Sequence, residues 1–171
     1  SMTASSGDWN NTMSAEQCAQ QLFDGSTDTF GDLKTGNTYT IDFGEGTTIA
    51  PTKFAAYPRL GTGSKKPEEF TKRLNGLKFQ GSNDGSTWTD ITEALAGIAD
   101  KDPNAVKWHE LSVTTAGSYR YIQITGAEGG NMSEVKFYGT VNKTNAASLE
   151  TVPDANAPAE EDGNADTENL S

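Results

Sequence analysis

The chain has 171 residues, of which 33% are hydrophobic and 18 are glycine, with one cysteine and a formal net charge of −11. That length builds one domain of ordinary size rather than two, and the charge sets the chain against nucleic acid and anionic lipid, both of which would repel it. A single cysteine excludes an intramolecular disulfide, and no apolar run reaches the roughly 20 residues that a membrane-spanning helix needs.

In chain order, Ser1-Met2 reads as an expression remnant and Thr3 to Ser6 as a first edge segment. Gly7-Asp8-Trp9-Asn10-Asn11 is a polar loop carrying one aromatic residue. Trp9 has two readings there, an exposed platform or an anchor for the loop. Ser14 with Gln17 forms a capping box, which predicts a short helix to about Phe23. Ala15, Cys18, Ala19 and Leu22 share one face of it, so Cys18 reads as a small core residue rather than a reactive thiol. Phe23 to Phe30 is irregular and crowds the oxygens of Asp24, Ser26, Asp28 and Thr29 into six residues.

Tyr39, Ile41 and Phe43 alternate with Thr40 and Asp42, the pattern of a strand with one wet face. Ile49 to Tyr57 is a second strand closed by Pro58, and its Pro51 fits only near the strand start or on an edge. Arg59 to Lys72 is a long basic loop. Leu77 and Phe79 open a hairpin that turns at Asn83-Asp84-Gly85 and returns through Trp88 to Ile91. Ala94 to Pro103 is assigned a short helical turn. Val106 to Val113 and Tyr119 to Thr125 are strands, Glu128-Gly129-Gly130-Asn131 is a loop, and Val135 with Phe137 finishes the sheet. Trp88 and Trp108 fall in strand patterns and are expected in the core. Seven or eight short strands between turn signals, with one small helix near the start, give an all-β sandwich or jelly roll.

Residues 3–141 form the expected domain. From Asn142 onward the chain carries net −6 and no aromatic residue, too little apolar surface to offset its ordering entropy, so 142–171 is expected to be a disordered acidic linker or tail. Catalysis has little to stand on. The one histidine, His109, and Cys18 lie far apart in sequence, and no nucleophile elbow, phosphate loop or zinc-ligand spacing is present. Paired glycosidase carboxylates on so small a β-sandwich would be unusual.

One ordered series of motifs carries more. It runs Ala4-Ser5-Ser6, Phe23-Asp24-Gly25 with Thr29, Ile41-Asp42-Phe43-Gly44, Tyr57-Pro58-Arg59, Gly81-Ser82-Asn83-Asp84-Gly85 with Trp88, Tyr119-Arg120-Tyr121-Ile122, and Glu134-Val135 with Phe137-Tyr138-Gly139. The series resembles the coagulation factor 5/8 type C, or discoidin-like, domains, and most of all the bacterial carbohydrate-binding modules of family 32, over about residues 4–140. The resemblance implies an eight-stranded antiparallel jelly roll that is not an enzyme and that holds its partner on loops at one end.

It also implies a structural Ca²⁺ held by side chains of Asp24, Thr29 and Glu134, with Ser26 and backbone carbonyls near Phe23, Ser26 and Ser133. Hard cations want such oxygen sets. The local alternative is an Asx-turn in which Asp24 caps the amides of Ser26 and Thr27. The ligand end would carry Trp9, Asn10, Asp28, Phe30, Arg59, Arg73 and Asn131. Sugar recognition uses an aromatic face against C–H groups and planar donors for hydroxyls; alternatively, Arg59 and Arg73 pair with acids of their own loop. His109 lies in a strand and inherits no loop role. The expectation is a monomeric glycan-binding module of a secreted or cell-surface bacterial protein, of weak affinity because shallow sites bury little area. The runner-up is a protein-interaction or adhesion module on the same loops; the acidity opposes membrane binding.

Overall fold

The computed structural model describes residues 1–144 and the backbone of Glu168–Asn169. Eight strands run through residue 143: β1 (Met2–Ala4), β2 (Tyr39–Asp42), β3 (Thr47–Tyr57), β4 (Lys78–Ser82), β5 (Thr89–Asp90), β6 (His109–Ser112), β7 (Tyr121–Thr125) and β8 (Glu134–Lys143). The short segment Glu168–Asn169, β9, pairs with β8 at Tyr138 and Gly139. All pairings are antiparallel, and they make two sheets of order β1-β2-β7-β4-β5 and β6-β3-β8-β9. One helix, α1 (Ala15–Gln21), precedes β2 and carries the expected capping box: Gln17 N–H donates to Ser14 Oγ at 3.1 Å and Ser14 N–H to Gln17 Oε1 at 2.8 Å.

The core lies between the sheets. Strand alternation turns Tyr39, Ile41, Phe79, Ile122 and Ile124 inward from one sheet and Ile49, Phe54, Leu111, Val135 and Phe137 from the other. Phe54 and Phe79 stack across the interior with centroids 4.0 Å apart. Each such side chain contributes about 1.5–3 kcal/mol by leaving water. Cys18, Ala19 and Leu22 close one end of this core, as the helical spacing predicts. The β4–β5 turn forms as expected, with Asp84 Oδ1 accepting from Ser86 and Thr87 N–H at 2.8 and 2.7 Å.

Several local expectations are corrected. Met2 is part of β1, opposite Ile41, so it belongs to the sheet. Pro51 sits inside β3, but β6 pairs only with Lys53 to Ala56, which leaves Pro51 without a neighbour on that side, and a bulge follows it. The long basic loop contains a 3-10 segment, Pro67–Leu74, kinked at Phe70. No helix forms between Ala94 and Pro103; a 3-10 turn instead occupies Pro103–Ala105, capped by Asp102. Trp88 and Trp108 are half-buried rather than core. They pack edge-on against Tyr121 and Tyr57, residues that alternate with the inward-facing Ile122 and Ala56. β8 runs two residues past the boundary expected at 141. The disordered-tail expectation falls otherwise on residues outside the described ones. Among the described residues no helix is long and apolar enough to cross a membrane.

Candidate functional site

Four loops converge at one end of the sandwich: the β1–α1 loop, the α1–β2 loop, the segment after β3 and the segment before β8. Backbone hydrogen bonds weave them together. Trp9 N–H donates to Asp32 O at 3.0 Å, Gly31 N–H to Met132 O at 2.9 Å, Leu33 N–H to Gly129 O at 2.9 Å, and Ser133 N–H to Tyr57 O at 2.9 Å. Tyr39 reaches up from β2 and donates its hydroxyl to Gly130 O at 2.6 Å. The surface above these bonds is therefore fixed by the fold beneath it.

Asp8 shapes the first loop. Its buried carboxylate accepts from Thr12 Oγ1 at 2.6 Å, Thr12 N–H at 2.7 Å and Met13 N–H at 2.8 Å. These bonds, the Thr12 hydroxyl first, hold its pKa below the ordinary 3.8. A depressed carboxyl gives stability that is present above its unfolded pKa and is lost as pH falls through the folded one. We expect Asp8→Asn to lower the melting temperature at neutral pH and to differ little from the wild type at about pH 2; thermal melts of both proteins across acid pH check this.

With the loop tied down at Asp8 and at its own amide, the Trp9 indole stands out, 60% exposed. It does not plug the core. Trp9, Asn10, Asp28, Phe30 and Arg59, five of the residues expected at the ligand end, line one cleft of about 310 Å³ together with Asp8, Asp32 and Thr29. Arg59 is its back wall. The guanidinium lies over the Phe30 ring at 4.0 Å and over the Phe70 ring at 4.3 Å, and Arg73 lies over Phe70 at 4.3 Å. Burial pushes the Arg59 pKa down, with Asp32 opposing the shift.

Asn131 is placed differently from expectation. It is 2% exposed and is not among the residues lining this cleft. Its Oδ1 accepts from Arg59 Nη1 at 2.7 Å and Arg73 Nη1 at 3.0 Å, while its Nδ2 donates to Asp32 Oδ1 at 3.1 Å. Asp32 Oδ2 receives Arg59 Nη1 at 3.0 Å, and Glu128 pairs with Arg73 Nε at 3.2 Å. Arg59 and Arg73 thus pair with acids, but with acids of other loops. Arg73 lines a neighbouring hollow of about 300 Å³ with Lys72, Asp100 and Glu128. Sequence reading missed Asp32 and Phe70. A usable signal for Phe70 was the helix start Pro67-Glu68-Glu69, which turns the next aromatic inward; Asp32 carried none.

The oxygen-rich loop meets the last strand. Asp24 Oδ1 accepts from Ser26 N–H at 2.9 Å, and its Oδ2 accepts the Thr29 hydroxyl, so the Asx-turn forms on the Ser26 amide. Glu134, at the start of β8 and 5% exposed, accepts from Gly25 N–H at 2.8 Å through Oε2. Among the described residues its buried Oε1 has no partner, nor has Ser133 Oγ. Burial, with Asp24 nearby, pushes the Glu134 pKa up to about 7. Asp24, Ser26, Thr29 and Glu134 are thereby brought together. Among the described residues no three Asp, Glu, His or Cys side chains converge, so any cation here would depend on two carboxylates supplemented by hydroxyl and carbonyl oxygens.

The two sheets, the bound-down loops and their position define a discoidin-like β-sandwich, the fold shared by F5/8 type C domains and carbohydrate-binding modules of families 62 and 32. No family model and no curated protein matches the chain. Among solved structures it is similar to the family 62 carbohydrate-binding module of Clostridium thermocellum Xyl5A, at 26% identity and TM-score 0.64 over 83% of this chain and 95% of that one. It is also similar to a Clostridium perfringens family 32 module solved with GalNAc-β-1,3-galactose, at 17% identity and TM-score 0.55 over 80% of this chain and 93% of that one. The family 32 module of C. perfringens NanJ, solved with galactose, matches at 12% identity and TM-score 0.52 over 83% and 93%.

Proposed function

We propose that the chain is a non-catalytic glycan-binding module that attaches a secreted or cell-surface protein to carbohydrate through this loop end. The observation that carries the reading is Trp9, a large aromatic held 60% exposed by a loop pinned through Asp8 and the Trp9 amide, on the rim of a polar cleft. Exposing an indole forgoes burial energy, and a sugar ring laid on it recovers that energy. Asn10, Asp28 and Arg59 lie within the same cleft to share hydrogen bonds with hydroxyls. Carbohydrate-binding neighbours of the same fold support the reading. A shallow site gives weak affinity, and linked copies on a parent protein would raise it through effective concentration.

The test is a glycan array followed by calorimetry on the best hit. Trp9→Ala should weaken binding at least about tenfold, the equivalent of about 1.4 kcal/mol, with an unchanged melting temperature. A silent array together with capture of a defined protein through the same loops would favour the adhesion reading instead.

We further propose that Asp24, Thr29 and Glu134 side chains, with the Ser26 carbonyl, hold a structural Ca²⁺. The support is the orphaned buried oxygen of Glu134, which needs a positive partner to be tolerated as a carboxylate. A bound hard cation would neutralise both carboxylates and tie the Asp24 loop to β8.

A further inference from the structure

The cleft has a charge that the glycan reading does not use. Three carboxylates line it, from Asp8, Asp28 and Asp32, against one guanidinium, Arg59. Arg59 is already matched by Asp32 at 3.0 Å, and Asn131 takes a further Nη1 hydrogen at 2.7 Å. Asp8 spends its oxygens on Thr12 and Met13 but keeps its charge. Asp28 is exposed, and among the described residues its side chain accepts no hydrogen bond and forms no ion pair; only its backbone amide is engaged, with Ser26 Oγ at 3.1 Å. Arg73 and Lys65 flank Arg59 at the Phe70 ring, with Arg73 paired to Glu128 at 3.2 Å, and Lys34 donates to Asn11 Oδ1 at 2.9 Å; none of the three lines the cleft. A cation at Asp24 and Glu134 would neutralise its own ligands and leave these three acids as they are. The site is therefore a negative cleft with an open aromatic face, on a chain of net charge −11.

Resting on the glycan reading above, we infer that the sugar this cleft prefers carries a free, protonated amine, and that it rejects uronic, sialic and sulfated sugars. An ammonium group can sit against the Trp9 face and within reach of the free Asp28 carboxylate, and each attraction strengthens the other. An anionic sugar would meet two uncompensated carboxylates at close range, a repulsion that is strongest at low ionic strength.

The experiment titrates the full chain at low ionic strength with three matched sets of short oligosaccharides. One set ends in glucosamine or galactosamine, one in the N-acetylated forms and one in the corresponding uronic acids. The amine should bind about tenfold tighter than its acetylated twin, and the uronic acid should not bind measurably. Asp28→Asn should bring amine and acetylated sugar to within about twofold; it changes the net charge by one, so a general attraction of amines to an acidic protein would survive it. Equal affinities in the wild type, an amine preference that persists in Asp28→Asn, or tightest binding of the uronic acid would overturn the inference. Binding that depends on Trp9 but ignores the amine removes this inference alone. Absence of any Trp9-dependent sugar binding removes the glycan reading and this inference with it.

Discussion

Asn131→Leu should cost the domain about 3 kcal/mol and lower its melting temperature by roughly 6–12 °C. Leucine fills nearly the same volume, so the expected loss is electrostatic rather than a cavity. Asn131 serves three charged groups at once. It accepts from Arg59 and Arg73 and donates to Asp32. Without it, and beyond their stacking on Phe30 and Phe70, Arg59, whose side chain is 11% exposed, keeps Asp32 as its one hydrogen-bonding partner among the described residues, and Arg73 keeps Glu128. Among the described residues the buried Arg59 Nε already has no partner, so they offer the site no spare acceptor. Leaving a buried charged donor unmatched costs about 1–3 kcal/mol. The substitution should also weaken binding at the cleft, because Arg59 forms its back wall. A double-mutant cycle with Asp32→Asn separates the network from packing: coupled residues give non-additive losses, whereas a volume effect adds. A total loss under about 1 kcal/mol would mean that the network contributes no more than ordinary packing.

The legibility of these features in sequence differs by physical cause. Strand alternation at Tyr39 and Ile41, at Leu77 and Phe79 and at Ile122 and Ile124 reports burial directly, and those residues line the core. The capping box at Ser14 and Gln17 is a local bond between neighbours, so it too could be read. Trp88 and Trp108 show where the method stops. Alternation tells which residues share a face of a strand but not which face turns inward, and a tryptophan invites the wrong choice. The cleft was half visible. Trp9 stood out because nothing near it in sequence was apolar, and the order of weak motifs pointed to Asp24 meeting Glu134 across 109 intervening positions. Asp32 was invisible because its importance lies wholly in tertiary partners, Arg59 and Asn131, which are 27 and 99 residues away. Asn131 was chosen for the right region with the wrong role, since a polar residue in a glycine-rich loop gives no sign of whether it faces water or the arginines beneath.

Calcium should raise the melting temperature of the fully demetallated protein, and EDTA should lower it again. A ligand that binds only the folded state stabilises by RT ln(1 + [L]/Kd), which is about 2.7 kcal/mol at a hundredfold excess over Kd and about 4.1 kcal/mol at a thousandfold. The structure gives a reason for a large response. The Glu134 carboxyl is buried, burial raises its pKa to about 7, and one oxygen has no partner. In the metal-free protein near neutral pH its charge is therefore an uncompensated burden, which a divalent cation removes while adding bonds to Asp24 and Thr29. Glu134→Gln sharpens the test because it acts in opposite directions on the two states. Glutamine can still accept the Gly25 amide, made at 2.8 Å in the wild type, and it carries no charge to bury. The metal-free variant should therefore melt at or above the metal-free wild type. The same variant should lose most of its response to calcium, since one of the two carboxylates is gone. Magnesium, which demands a tighter octahedral shell, should replace calcium poorly at the same concentration. Identical wild-type melts in calcium and in chelator, after complete demetallation, would leave Asp24 and Glu134 as a purely structural contact between a turn and a strand.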